Sequence, residues 1–482
     1  MSIRVTITAS GVTNEYGQAL AIGTVYTPNN DDYALALIAQ LKATDTDDVL
    51  GERINAPFDE VVYPLDPVGL SADGTSLVSG DGSALLRRSA LGNIGRRLFA
   101  GRCNHVFDNT VSNTFHAVFE LPCDWDQARV VLVNGATSTY ASSLTCTFAV
   151  LPSAADLTGN ALTWTDGTIP GGTIPAAAST SRRGVLRGDW AFCSNRGVGS
   201  RLLAVRVRIT TSGSITVMGN ASSDLTNWSS RTDGQLVYLA NKAGSYNSNA
   251  TASGFTTPTQ ASFSPIWGVE VACRGKVINL CIAGDSNDEG RGTYIGAGYG
   301  LPLAEHLQED LGIPVFLSQT GYSGQSTGNT ANNVADLIAA GLIPDLMVSH
   351  AGTSNDYTSN NITDANVALS RGYTARIAAH LQPDKVPLVL RNVSAVNPSV
   401  TDKDFGATDT KRVAWNAELD DYVDGTYQLF DCATPTNGTT DGDGQVNMLA
   451  ASTTDGIHFN DAGIALILPN AVAACKAALG VY

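Results

Sequence analysis

From about residue 276 onward the chain changes its hydrophobic period, and that change limits the folds open to it more than any single motif does. Apolar runs suited to buried strands occur at Val277 to Ala283, Pro314 to Leu317, Leu346 to Ser349, Pro387 to Leu390 and Gln428 to Phe430. Between them lie segments with helical spacing. Leu303, Leu307 and Leu311 share one face, as do Tyr373, Ile377 and Leu381, because residues four apart stack on the same side of a helix. Apolar strands alternating with amphipathic helices predict a parallel sheet covered on both sides.

Upstream the pattern differs. From about 106 to 275, runs such as Arg129-Val130-Val131-Leu132-Val133 and Leu203-Ala204-Val205-Arg206-Val207-Arg208-Ile209 alternate with Gly, Ser, Asn and Asp turns. Short strands between frequent turns predict a β-sandwich of the kind often used to hold carbohydrate. Within it, Ser222-Ser223-Asp224-Leu225-Thr226-Asn227-Trp228 resembles the Ser-Asp-Trp hairpin loops of extracellular sandwiches. Trp228 either packs on the sheet or stands out to stack on sugar, and the second role makes it the candidate substrate-binding residue.

Residues 1–55 open with the alternating Ile3-Arg4-Val5-Thr6-Ile7-Thr8. They continue into an expected helix capped near Asn30 or Asp31 and carrying Leu35, Leu37, Ile38 and Leu41, which together make a small amino-terminal module. Residues 56–105, with Pro57, Pro64, Pro67 and the glycine-rich Ser71 to Gly82, read as an extended linker. The expected order is module, linker, sandwich over 106–275 and α/β domain over 276–482. A chain of 482 residues is too long for one compact core.

Composition narrows the function classes. Hydrophobic residues make up 43%, charged residues 15%, and there are 48 glycines, a mix that suits a folded, β-rich protein rather than a disordered one. A net charge of -16 speaks against a broad footprint for nucleic acid or anionic lipid. The opening Met1-Ser2-Ile3-Arg4-Val5-Thr6 lacks the apolar core of a secretory signal, and no stretch reaches the roughly 18 apolar residues needed to cross a bilayer. A soluble chain, not inserted in a membrane and not exported by an amino-terminal signal, is expected. The eight cysteines show no CxxC pair and no metal-ligand spacing. Several, such as Cys273 and Cys281, sit inside apolar runs and read as reduced core residues. No metal or other cofactor is expected.

Four elements carry chemistry. The first strand of the α/β region runs into Gly284-Asp285-Ser286-Asn287, and open α/β sheets bind ligands beyond the carboxyl ends of their strands. Ser286 is therefore the candidate nucleophile. Near the carboxyl end stands Asp455-Gly456-Ile457-His458. A serine hydroxyl needs an oriented base to remove its proton, and a carboxylate three residues before a histidine can hold that imidazole. Acyl transfer also needs fixed donors for a growing oxyanion. Gly321-Tyr322-Ser323-Gly324-Gln325-Ser326 follows the second strand and offers the amide of Gly324, while Gly352-Thr353-Ser354-Asn355-Asp356 follows the third and offers the side chain of Asn355.

In the order Gly-Asp-Ser, Gly, Asn, Asp-x-x-His, these elements resemble the SGNH, or GDSL, hydrolase family over about 276–482. The resemblance implies a flavodoxin-like α/β/α fold and a metal-free acyl-enzyme mechanism, with Ser286, Asp455 and His458 as the catalytic set. It also implies three oxyanion donors: the Ser286 backbone, the Gly324 backbone and the Asn355 side chain. The family's third block normally reads Gly-x-Asn-Asp, whereas two residues separate Gly352 from Asn355 here. The segment Ala283 to Gly292 also resembles the nucleophile segment of carbohydrate acetylesterases, sialate O-acetylesterases included, where Gln commonly replaces Asp285. More loosely, the preceding modules resemble the architecture of phage virion proteins of the tail-fibre or spike kind.

The expected function is a carboxylic ester hydrolase that removes O-acetyl groups from a bacterial surface polysaccharide. It would act outside the cell on a virion assembled in the host cytoplasm, joined to other virion proteins through the amino-terminal module. Homo-oligomerisation is left open. The competing readings are an adhesive virion protein with a relic hydrolase domain, a lipase or lysophospholipase of the same family, and a bacterial esterase kept in the cytoplasm or exported by another route.

Overall fold

The computed structural model describes residues 92–480 apart from 110–111, 142–143, 180–181, 199, 211–212, 220–236, 249, 262, 291–297, 358–360 and 422–426, and before residue 92 it describes only short strands. Trp228 and the helix expected near Leu35 to Leu41 lie outside the described residues. The chain divides into two compact units, Met1–Ala84 and Leu85–Tyr482. In the first, Val5–Ile7 pairs antiparallel with Val25–Tyr26 and with Ala43–Asp45. Val12–Thr13 pairs with Ala19–Leu20, and Gly69–Leu70 with Ser76–Val78.

In the second unit one strand organises the rest. Strand β1 (Ile266–Ala283) is 18 residues long. Its first half pairs antiparallel with Trp125–Asn134 and with Gly92–Leu98. Its second half pairs parallel with β2 (Val315–Gln319) and β3 (Leu346–His350). Strands β4 (Leu388–Arg391) and β5 (Tyr427–Phe430) follow in parallel, giving the order 2-1-3-4-5 in this half. That is the flavodoxin-like order, whose topological switch point lies between β1 and β3. The expected parallel strands are therefore present, as one part of a mixed sheet. The expected change of period at 276 falls inside a single strand: Ile266 to Cys273 is as apolar as Val277 to Ala283, and only the partners change.

The helices of this half are α1 (Ser286–Glu289), α2 (Gly300–Leu311), α3 (Thr327–Ala339), α4 (Asp364–Leu381), α5 (Asp409–Asp421), α6 (Ala433–Thr436) and α7 (Asp461–Leu479). Helix α2 packs with α7, and α4 packs with both α3 and α5. Side chains of a strand alternate between faces. Met347, Leu388 and Leu390 accordingly share a core with Val334, Ile377, Leu381 and Leu419, while Val348 and Val389 are buried outside that cluster. Helix α7 amends the expectation of no membrane-length apolar stretch, since by length and composition it could cross a bilayer, with a mean hydropathy of 1.7 over 18 residues. It packs against β3, β4 and β5 instead and buries Ile467, Ala471, Ala474, Cys475 and Leu479.

Upstream, a six-stranded antiparallel sheet runs in the order Thr165–Gly167, Leu144–Leu151, Leu202–Ile209, Asn113–Glu120, Val237–Ala243, Thr259–Gln260. Its alternation is regular. Phe115, Ala117 and Phe119 join the large core that also holds Val131, Val133 and Val269, whereas Val118 faces the smaller cluster with Trp164 and Leu202. All eight cysteines are free, and all but Cys123 are buried.

Asp345 sits just before β3 and ties it to β1, accepting from the Asn279 amide at 2.7 Å and the Asn279 side chain at 3.0 Å. Burial pushes its carboxyl up to about 6 against this help. A carboxyl raised in the fold gives stability that is fully present below the unfolded value and lost as pH rises through the folded one. The gap between 3.8 and about 6 is worth roughly 3 kcal/mol at most. Asp345→Asn keeps an acceptor without the charge. Its thermal midpoint, measured against the parent, should therefore rise between pH 4 and 7 and then level off; an offset that is the same at every pH would refute this assignment.

Candidate active site

The nucleophile turn is built where β1 ends. Asp285 caps α1, its Oδ1 accepting from the Asn287 amide at 2.9 Å, while Asp288 Oδ2 accepts from the Asp285 amide at 2.8 Å. This reciprocal box fixes the backbone on both sides of Ser286. Ser286 is the first residue of the helix, so its N–H has no intrahelical acceptor. Its side chain is aimed at His458, and Ser286 Oγ lies 2.8 Å from His458 Nε2.

His458 and Asp455 arrive from the other end of the domain. His458 Nδ1 is 2.5 Å from Asp455 Oδ2. The other Asp455 oxygen accepts from the amides of Ile457 at 3.0 Å and His458 at 2.9 Å, so the carboxylate is held by its own turn. Burial alone would raise Asp455, but the hydrogen bonds and charge of His458 outweigh it and hold the group below the usual carboxylate range. Gly456 makes the turn, with a φ of +78° and a site where a Cβ would stand 2.6 Å from the Asn397 carbonyl oxygen, a conformation and approach that favour glycine. One side chain then joins the two loops: Asn287 Oδ1 accepts from the Phe459 amide at 3.0 Å, and its Nδ2 donates to the Ile457 carbonyl at 3.3 Å.

Gly324 lies in the turn closed by Gln325 N donating to Tyr322 O at 3.1 Å. Asn355 lies in the loop after β3, and its Nδ2 donates to the Gln325 carbonyl at 3.2 Å, so the structure brings the two expected donor loops together. That bond uses one amide hydrogen and leaves a second on the same nitrogen. Asp356 secures the arrangement, accepting from the Thr327 amide at 2.9 Å and the Thr353 amide at 3.1 Å. Lys403, half-buried, donates to the Ser354 carbonyl at 2.8 Å, and burial lowers its ammonium from the usual value. Asn287, Thr353, Arg391 and Lys403 were not singled out from sequence. Asn287 and Thr353 stood inside motifs, whereas Arg391 and Lys403 lie outside them and act across long chain separations.

Asp285, Asp288 and His350 place possible ligand atoms within 4.8 Å of one another. A guanidinium already lies against both carboxylates: Arg391 Nη2 is 3.2 Å from Asp285 Oδ1 and 2.9 Å from Asp288 Oδ2. The cation that such a cluster calls for is thus supplied by the chain.

No family model and no curated protein matches the chain. Among solved structures it is similar over 41% of its length to a GDSL-like lipase from Bacteroides thetaiotaomicron, with 18% identity, 87% of that chain covered and a TM-score of 0.32. It is also similar over 41% to a carbohydrate esterase family 3 protein from Talaromyces cellulolyticus (15% identity, 95% of that chain, TM-score 0.30) and to the lipase/acylhydrolase from Enterococcus faecalis (17% identity, 95% of that chain, TM-score 0.29).

A serine placed as Ser286 is, 2.8 Å from an imidazole held by a carboxylate, is expected to react with an alkyl fluorophosphonate. Ser286→Ala should abolish labelling, and His458→Ala should slow it by about 10²- to 10⁴-fold, the usual contribution of a positioned base. Circular dichroism should remain unchanged in both. Undiminished labelling in folded Ser286→Ala protein would transfer the role to another residue.

Proposed function

We propose that the protein is a metal-free serine esterase of the SGNH type that removes O-acetyl groups from a bacterial surface polysaccharide. The observation that carries the reading is the chain from Ser286 Oγ through His458 to Asp455, at 2.8 and 2.5 Å, set beyond the carboxyl end of β1 in a 2-1-3-4-5 sheet. Ser286 attacks the ester carbonyl as His458 takes its proton, and the imidazolium is held by Asp455. The oxyanion is met by the amides of Ser286 and Gly324 and the side chain of Asn355. His458 returns the proton to the departing sugar hydroxyl, and water then releases acetate by the same steps in reverse.

The substrate reading rests on the likeness of Ala283 to Gly292 to carbohydrate acetylesterase segments and on the upstream antiparallel layers. An acetyl group offers little apolar surface, so affinity comes from sugar contacts remote from the ester. In this reading the layers over 106–275 hold the glycan, Trp228 stacks on it, and the amino-terminal module fixes the protein to a virion.

Three measurements test this. Asn355→Ala should lower kcat on an aryl acetate by roughly 10²- to 10³-fold, the cost of losing one oxyanion donor; a change of less than a few-fold would remove it from that role. Trp228→Ala should weaken acetate release from O-acetylated host polysaccharide while leaving aryl acetate turnover unchanged. Activity should survive EDTA. Preference for long acyl chains over acetate would defeat the deacetylase reading and favour a lipase.

A further inference from the structure

We propose that Arg391 is a positioning residue for the nucleophile, acting through the paired carboxylates of Asp285 and Asp288. The inference rests on the esterase reading for its kinetic readout. Arg391 ends β4, and its side chain is 1% exposed, against 5% for Asp285 and 0% for Asp288. Its Nε and Nη2 take both oxygens of Asp288, at 3.1 and 2.9 Å, and Nη2 also reaches Asp285 at 3.2 Å. Tyr299 donates to Asp288 Oδ1 at 2.6 Å, and Thr353 donates to Asp285 Oδ2. The His350 ring lies 3.8 Å from that same Asp285 oxygen.

The same two carboxylates make the box around Ser286. Every hydrogen bond named here uses a carboxylate oxygen as an acceptor, which suits the ionised form. Two buried carboxylates side by side cannot both stay ionised without a cation. Burial would raise Asp285, but Arg391, followed by His350 and Thr353, holds it well below the usual carboxylate range. The fit is close: a Cβ on Gly284 would stand 1.8 Å from Asp288 Oδ2, so the carboxylate lies directly on the backbone leading to the nucleophile. Without the guanidinium one carboxylate takes a proton or swings away, the box opens, and Ser286 leaves its line to His458. A misplacement of about 1 Å costs on the order of 10²-fold in rate.

A purely structural Arg391 would brace β4 and nothing more, and the two roles predict opposite couplings. Arg391→Met should lower kcat on aryl acetate by about 10²-fold with KM changed less than a few-fold. Adding Asp288→Asn, which keeps an acceptor for the Asp285 amide but removes one charge, should recover about tenfold of that loss. Losses that add, or a fall in thermal stability with kcat intact, would overturn the proposal. Arg391→Lys, a milder change, should give an intermediate kcat, because a point charge cannot bridge two carboxylates as a planar fork does; should Arg391→Met fail to fold, an unaltered kcat in the lysine variant would overturn it. If the parent protein cleaves no ester, the esterase reading fails, and the rate of fluorophosphonate labelling at Ser286 becomes the readout here. Labelling that is equally fast in the parent and the Arg391 variants would refute the positioning role.

Discussion

Glu270 is fully buried in the antiparallel half of β1, and three arginines converge on it. Arg96 and Arg129 approach at 2.9 and 2.8 Å, and Arg187 at 2.8 Å. Breaking such a buried pair costs on the order of 3–5 kcal/mol, because it leaves an uncompensated charge. The strands that carry these arginines, Gly92–Leu98, Trp125–Asn134 and Gly184–Arg187, are therefore fixed around β1. Arg96 carries the constraint further, since its amide donates to Asn279 Oδ1 at 2.7 Å and its guanidinium to the Ile343 carbonyl at 2.9 Å. Asn279 in turn donates to Asp345. A continuous polar chain thus runs from the antiparallel half of the sheet to the start of β3, and β1, which delivers Ser286, is held along its length.

This arrangement explains what could be read from the sequence. The parallel strands were legible because each is a short apolar run ending in a turn, and the helices of Leu303 and Ile377 because their apolar residues keep a four-residue step. The first half of β1 was assigned to a different region, since a period-two apolar strand looks the same whether its partners are parallel or antiparallel. Helix α3 was not among the helices named from spacing. Its first turns, Thr327-Gly328-Asn329-Thr330-Ala331-Asn332-Asn333, are rich in residues of low helix propensity, and tertiary contacts hold them helical, with Thr330, Ala331 and Asn333 all buried.

The site divides along the same line. Ser286, Asp455 and His458 were legible as a candidate set because each motif is compact: four residues, Asp455 to His458, suffice to suggest a carboxylate holding an imidazole. Arg391 closes an ordinary apolar strand 106 residues from Asp285, and nothing local distinguishes it from a surface arginine following Leu390. Asn287 stood inside the nucleophile motif, yet its task lies 172 residues away at Phe459. In the proposed reading, the groups assigned the chemistry leave short signatures, and the groups that aim them are placed by topology.

Three aspartates meet near one serine, and their surroundings give them different work. The Asp455 side chain is 47% exposed, and His458 itself, with the amides of its own turn, holds it below the usual carboxylate range, so it needs no arginine of its own. Asp285 and Asp288 have no such access. Arg391 lies against both and holds Asp285 well below the usual carboxylate range, and both carboxylates also accept from amides of the turn that carries Ser286. Environment therefore separates a carboxylate that steadies a base from two that shape the nucleophile's seat. The sheet order keeps the two apart: Asp455 enters on a turn ahead of α7, whereas Arg391 stands at the end of β4 and reaches both acids.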